Sequence, residues 1–153
     1  DASSLVSSLD IPATLCDYAG APALPDADVG ASLRPLLEGK RSDWRDHVFG
    51  ETDHSAGVRN ARYKAIFYPD QPARMFDRHE DPREMRNRAA SPEHAGTRKG
   101  LEVRLREYVR ARKIAPHLGK AEAVGNKRRP EVQRLSQSRA WYESIAAGEG
   151  LSA

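Results

Sequence analysis

Tyr63-Lys64-Ala65-Ile66-Phe67-Tyr68 reads as a β-strand. Aromatic and β-branched side chains dominate it, and Tyr63, Ala65 and Phe67 alternate with Lys64, Ile66 and Tyr68, so each set belongs to one face of a pleated ribbon. Pro69-Asp70-Gln71-Pro72 supplies turn chemistry, and Arg74 to Asp77 runs back as the next strand. Upstream, Val48-Phe49 and Gly57 to Ala61 carry two weaker strand signals. The expected product is an antiparallel sheet of about four strands, a common size for a sheet.

Helical signals flank that sheet. Asp10 suits an N-cap, Pro12 tolerates the first turn and Gly20 suits a left-handed C-terminal cap, which predicts a helix over residues 11 to 19. Ser32 to Leu37 reads as a short turn of helix, capped by Ser32, with Leu33, Leu36 and Leu37 on one face and Gly39 at its end. Asp81-Pro82-Arg83-Glu84 has the form of a capping box with proline at the first helical position. Ser91-Pro92-Glu93 repeats the start signal, and Leu101, Leu105, Tyr108 and Val109 then recur at helical spacing, predicting a helix from Pro92 to about Arg112 that packs on the sheet. Glu131 to Ala147 is a further helical candidate, with Val132, Leu135, Trp141 and Ile145 as its apolar contacts. The class is α+β: a small antiparallel sheet of about four strands packed by a C-terminal helix, with an N-terminal helix and an extended basic tail.

Composition bounds the rest. The chain has 153 residues and is 39% hydrophobic, with a mean hydropathy of -0.73, which implies a thin core and much solvated surface. No apolar run approaches the ~20 residues a spanning helix needs. The first residues lack a basic region followed by an apolar stretch, and the absence of an initiator Met before Asp1 leads us to expect a fragment or processed product of a longer protein. Charge is uneven: 13 Lys/Arg face 6 Asp/Glu from Arg98 onward, against 12 and 16 in residues 1–97. Such asymmetry is compatible with a polyanion contact. Few aromatics interleave with the basic residues to stack on bases, however, which argues against nucleic acid and for a solvated helix face.

Four ordered blocks carry a family resemblance. Leu5 to Gly20 follows the pattern V-x-x-x-D-I-x-P-T-L-L-D-x-A-G, with Asp10 to Thr14 in register. Gly30-Ala31-Ser32-Leu33-Arg34-Pro35-Leu36-Leu37-Glu38-Gly39 follows G-x-S-L-x-P-L-L-x-G, and Trp44 to Glu51 comes next. The strand from Arg62 to Tyr68, Met75-Phe76-Asp77, and Asp81-Pro82-Arg83-Glu84 with Asn87 complete the set. Together they resemble the C-terminal subdomain of a sulfatase of the alkaline-phosphatase-like superfamily, similar to that of N-sulphoglucosamine sulphohydrolase and arylsulfatases. The resemblance runs from about Leu5 to Val109, and the chain after Ala115 lies outside it.

The resemblance implies residues 1–40 as the end of a catalytic domain with its connection and 41–113 as the antiparallel-sheet subdomain with its packing helix, and the change in charge makes 114–153 a basic tail with a possible helix. It implies that the complete enzyme hydrolyses a sulfate ester or sulfamate with a formylglycine and a calcium ion, that its partner here is the N-terminal sulfatase catalytic domain, and that its ligand is a sulfated small molecule or sugar. Family members are often exported or lysosomal, so a periplasmic, extracellular or lysosomal setting goes with it. The catalytic nucleophile of such enzymes lies in a C-x-P-x-R pattern. Cys16, the single cysteine, has Tyr18 and Gly20 at the required offsets and is read instead as part of a packed helix face with Ile11, Leu15 and Ala19. No catalytic residue is assigned within this chain.

Glu51-Thr52-Asp53-His54-Ser55 offers two carboxylates and an imidazole between predicted strands, yet it falls short of the ligand count of a zinc or calcium site. Asp77, His79, Glu80 and Asp81 form a second acidic knot that turn and cap roles explain, so no metal site is assigned. In sulfatases, loops of this subdomain can line the substrate mouth, which makes His54 and Arg59 the substrate-binding candidates; arginine suits a planar anion because it presents a fork of donors at fixed charge. Two rivals stand beside this reading: the end piece of a phosphonate or phosphodiester hydrolase of the same superfamily, and a stand-alone polyanion-binding module using the Arg98 to Arg139 segment.

Overall fold

The computed structural model describes residues 4–22, 30–40, 43–52, 54–112, 130–149 and 151, the side chains of 130–136 excepted. The chain folds as two compact units, Asp1–Val48 and Phe49–Ala153.

The first unit is organised by a buried carboxylate. Helix α1 spans Asp10–Ala19 and ends on Gly20 at φ 63°, ψ 22°, the left-handed cap expected of glycine. Asp10, whose residue type suggests a cap outside this helix, is instead its first residue, with Leu9 at the cap position, and its side chain is 0% exposed. It accepts hydrogen bonds from the Ser7 amide at 2.7 Å and the Ala31 amide at 2.9 Å, and Arg45 grips both of its oxygens at 3.0 and 2.6 Å. Thr14, one turn on, donates to the Asp10 carbonyl at 2.6 Å and accepts the Leu33 amide at 2.9 Å. The side of α1 that faces inward is therefore polar and fully bonded.

That arrangement turns the apolar side outward. Ile11 is 54% and Leu15 65% exposed, Ala19 is exposed and Cys16 half-buried, so the packed apolar face expected around Cys16 is not formed within this unit. Gly30 passes so close to α1 that a Cβ there would meet the Leu9 carbonyl oxygen at 2.0 Å, and any larger residue would have to displace backbone. Helix α2, Arg34–Leu37, follows. The cap position is held by Leu33 rather than by the expected Ser32, whose Oγ accepts the Arg34 amide at 3.2 Å from one residue further out, and Gly39 ends the turn at φ +65°. Leu37 is exposed rather than grouped with Leu33 and Leu36.

The second unit is a four-stranded sheet in the order β1-β2-β3-β4: Val48–Glu51, Ala56–Arg59, Tyr63–Phe67 and Arg74–Asp77. Strands β2 and β3 pair antiparallel with Val58 opposite Ala65, and β3 and β4 with Ala65 opposite Met75. Ala56, Val58, Ala65, Phe67 and Met75 are buried on one face, so the alternation read in the third strand holds. β2 stops at Arg59, two residues short of the expected end, because the Asn60 side chain accepts the amides of Arg62 at 3.0 Å and Tyr63 at 2.7 Å and turns the chain.

A short 3-10 turn, Pro92–His94, leads into helix α3, Ala95–Arg112, whose Leu101, Leu105 and Val109 face the buried side of the sheet. Helix α4, Pro130–Ala147, adds Trp141, Tyr142 and Ile145 to the same core, and Leu151 joins it. Each such side chain contributes roughly 1.5–3 kcal/mol of burial. The side chains of Val132 and Leu135, expected apolar contacts of this helix, lie outside the described ones.

The capping box at Asp81 starts no helix. Glu84 adopts φ 55°, and its carboxylate is taken by Lys64 at 2.5 Å and Arg78 at 3.2 Å. Arg59 stands directly across from Lys64, a like-charge pair that costs energy unless an anion is near, so tertiary electrostatics outcompete local capping. Asp81 accepts the Arg86 amide instead, at 2.7 Å. Asn87 then works as a surrogate for a further strand: Oδ1 accepts the Met75 amide at 2.9 Å and Nδ2 donates to the Ala73 carbonyl at 3.3 Å, satisfying the outer edge of β4.

Asp77, at the end of β4, is buried and forked by Arg62, with contacts of 2.9 and 2.6 Å to Oδ2. The amides of His79 and Glu80 also point at it. Arg62 above all, then these amides, holds its carboxyl down at about 2 against an ordinary 3.8. A carboxylate depressed in the folded state contributes stability that is complete above its unfolded pKa and is lost as pH falls toward the folded one. Acid titration of the unfolding free energy should therefore show a decline between about pH 4 and pH 2, and Asp77→Asn should remove much of that slope; an unchanged slope would assign it to other carboxylates.

Candidate functional site

The loop between β1 and β2 carries the residues singled out by sequence. Its backbone closes on itself, with the Thr52 amide donating to the Ser55 carbonyl at 2.9 Å. The two hydroxyls lie 3.0 Å apart, and the His54 amide donates to Thr52 Oγ1 at 3.1 Å. These are the short-range bonds that Ser and Thr offer in turns. They project His54 into solvent. Asp53 lies outside the described residues.

Glu51, the carboxylate considered for a cation, is engaged elsewhere. The Tyr108 hydroxyl of α3 donates to it at 2.6 Å, while the Tyr108 ring stacks on Phe49 with centroids 4.1 Å apart and planes 6° from parallel. Burial and the adjacent Glu51 charge push the Tyr108 phenol up, so it stays a donor at neutral pH. Among the described residues no three His, Cys, Asp or Glu side chains gather as a cation would require. These residues do not fit a calcium site.

Arg59 ends β2. It is half-buried, follows Gly57 on the face of the sheet opposite the Val58 core, and its buried Nε has no hydrogen-bond partner among the described residues. His54 and Arg59 thus stand at opposite ends of the strand, up to about 16 Å apart along an extended backbone. The extended strand Ala56–Arg59 runs from the one to the other.

The described arginine side chains that follow Arg98 are largely spent inside the unit. Arg106 Nη1 donates to the Glu149 carbonyl at 3.2 Å and Arg110 Nε to that of Ala146 at 2.5 Å, satisfying the C-terminal end of α4. Arg104 pairs with Glu107, Arg106 with Glu102 and Arg139 with Glu143. Lys113 to Arg129 of the proposed basic tail lie outside the described residues.

One contact has no sequence signal at all. The hydroxyl of Tyr142, on α4, donates to the carbonyls of Thr52 at 2.9 Å and Ser55 at 3.0 Å. A separation of 90 residues leaves no local pattern to read.

With this geometry in hand, comparison with known proteins places the chain. The family described as N-sulphoglucosamine sulphohydrolase, C-terminal, matches residues 1–111. An N-acetylglucosamine-6-O-sulfatase of Bacteroides thetaiotaomicron is 35% identical over 119 residues, covering 69% of this chain and 21% of that protein. A protein solved in complex with its substrate D-glucosamine-2-N,6-O-disulfate aligns at TM-score 0.59 with 30% identity, over 68% of this chain and 24% of the other. A phosphonate monoester hydrolase of Agrobacterium radiobacter aligns at TM-score 0.58 with 31% identity, over 67% and 24%. The chain spans about a fifth of the length of the curated relatives it matches, 18% and 21%. Asp10 and Gly30 in the first unit, the four strands and Asn87 beside β4 all lie within the matched span, and the chain belongs to the family of sulfatase C-terminal domains.

Proposed function

We propose that the complete protein hydrolyses a sulfate ester or sulfamate on a sugar, and that this chain closes its fold and lends His54 and Arg59 to the rim of the substrate site. The family match over residues 1–111 carries the reading, and the chemistry of the two side chains supports it. The buried Arg59 Nε has no partner among the described residues, and an arginine fork is suited to a sulfate or carboxylate on the sugar. The formylglycine and calcium that go with such enzymes would be held by the catalytic portion, since neither Cys16 nor the described carboxylates fit them.

A second reading keeps the same role for the chain but makes the whole protein a phosphonate monoester hydrolase, favoured by the 31% identity to one. The two separate on the complete enzyme, assayed with 6-O-sulfated glucosamine and with a phosphonate monoester. We expect the sulfated sugar to be preferred. His54→Ala and Arg59→Ala should each raise KM for it about tenfold with kcat little changed, the signature of lost uniform binding worth about 1.4 kcal/mol. Preference for the phosphonate would establish the second reading, and unchanged KM values would remove both residues from the rim.

A further inference from the structure

We infer that Tyr142 is a positioning residue: a latch, supplied by α4, that fixes the β1–β2 loop and so sets where His54 is presented. The role deepens the proposed function and rests on its assignment of that loop to the substrate rim. Tyr142 is 1% exposed. A buried phenol must place its proton, and here two carbonyl oxygens stand within reach of it, those of Thr52 and Ser55, which bracket His54. No other residue of α4 is needed to make the contact, but the helix must be held still for the contact to count. It is held at its core side by Trp141 and Ile145 among Leu101, Leu105 and Val109, and at its C-terminal end by Arg106 and Arg110.

The strand entering the loop is fixed independently, through Glu51 and Tyr108. The loop is thus pinned at its entrance by α3 and across its mouth by α4. Helix α4 lies beyond residues 1–111, the span matched by the family. The latch is placed where a substrate-facing loop would need its geometry set.

Tyr142→Phe removes the hydroxyl and keeps the ring. In the full 153-residue chain, hydrogen exchange at the Thr52 and His54 amides, both bonded within the loop, should quicken about five- to tenfold, the effect of one net hydrogen bond. The amides of β3 should stay unchanged. Glu143→Gln, on the exposed side of the same helix, should leave the Thr52 and His54 amides alone. In the complete enzyme Tyr142→Phe should raise KM for 6-O-sulfated glucosamine several-fold with kcat within about twofold. Loop exchange that does not respond, or a rise spread evenly over the sheet, would overturn the latch. If instead the loop loosens in Tyr142→Phe while His54→Ala leaves KM untouched, the latch stands and the rim assignment falls.

Discussion

Asp10→Ala is expected to destabilise the 1–48 unit by about 3 kcal/mol or more. The carboxylate is fully buried and accepts from the amides of Ser7 and Ala31 and from both terminal nitrogens of Arg45. Removing it leaves a partly buried guanidinium and two amides without their acceptor, and an orphaned buried charge costs more than the pair was worth. The measurement is amide exchange at Ser7 and Ala31, which should approach the rate of an unprotected chain while β3 keeps its protection. Asp10→Asn should fall between, since it can accept the amides but offers Arg45 no charge. A loss under about 1 kcal/mol would show that the buried pair is replaced by water at little cost.

The second large effect belongs to the sheet. Phe67→Ala should cost the 49–153 unit about 3–5 kcal/mol, because it empties a buried site between β3 and the helices. Ile66→Ala, one residue away on the opposite and half-exposed face, should cost far less. Denaturant unfolding of both variants checks the assignment of faces as well as the magnitude. Equal losses would mean that both faces of β3 are packed alike, against the alternation that places Phe67 inside.

The elements legible in sequence are those whose local chemistry agrees with their tertiary use. In β3, the period of two sets Ala65 and Phe67 against Lys64 and Ile66, and burial follows it. β4 runs over the residues expected, and α3 buries Leu101, Leu105 and Val109 as its spacing requires. The failures arise where a distant partner takes a side chain from its local role. Glu84 has the spacing of a cap and is consumed by Lys64 and Arg78. Asp10 has the residue type of a cap and serves as the acceptor for Arg45, 35 residues on. The apolar face of α1 has the right composition for a core, but the inward side is taken by Asp10 and Thr14. For the candidate site, the loop and its residues are legible from turn chemistry between strands. The distance between His54 and Arg59, the engagement of Glu51 by Tyr108 and the reach of Tyr142 are not, because each depends on how the strands pair and how helices from later in the chain settle on the sheet.

If this polypeptide is the non-catalytic end piece of a larger sulfatase, its chemistry must come from elsewhere in the complete protein. The most direct measurement is turnover of a sulfated sugar, with and without calcium, by the 153-residue chain alone beside the complete enzyme. Turnover is expected from the complete enzyme and none above background from the chain. Calcium-dependent turnover by the chain alone, abolished by Cys16→Ala, would contradict the assignment.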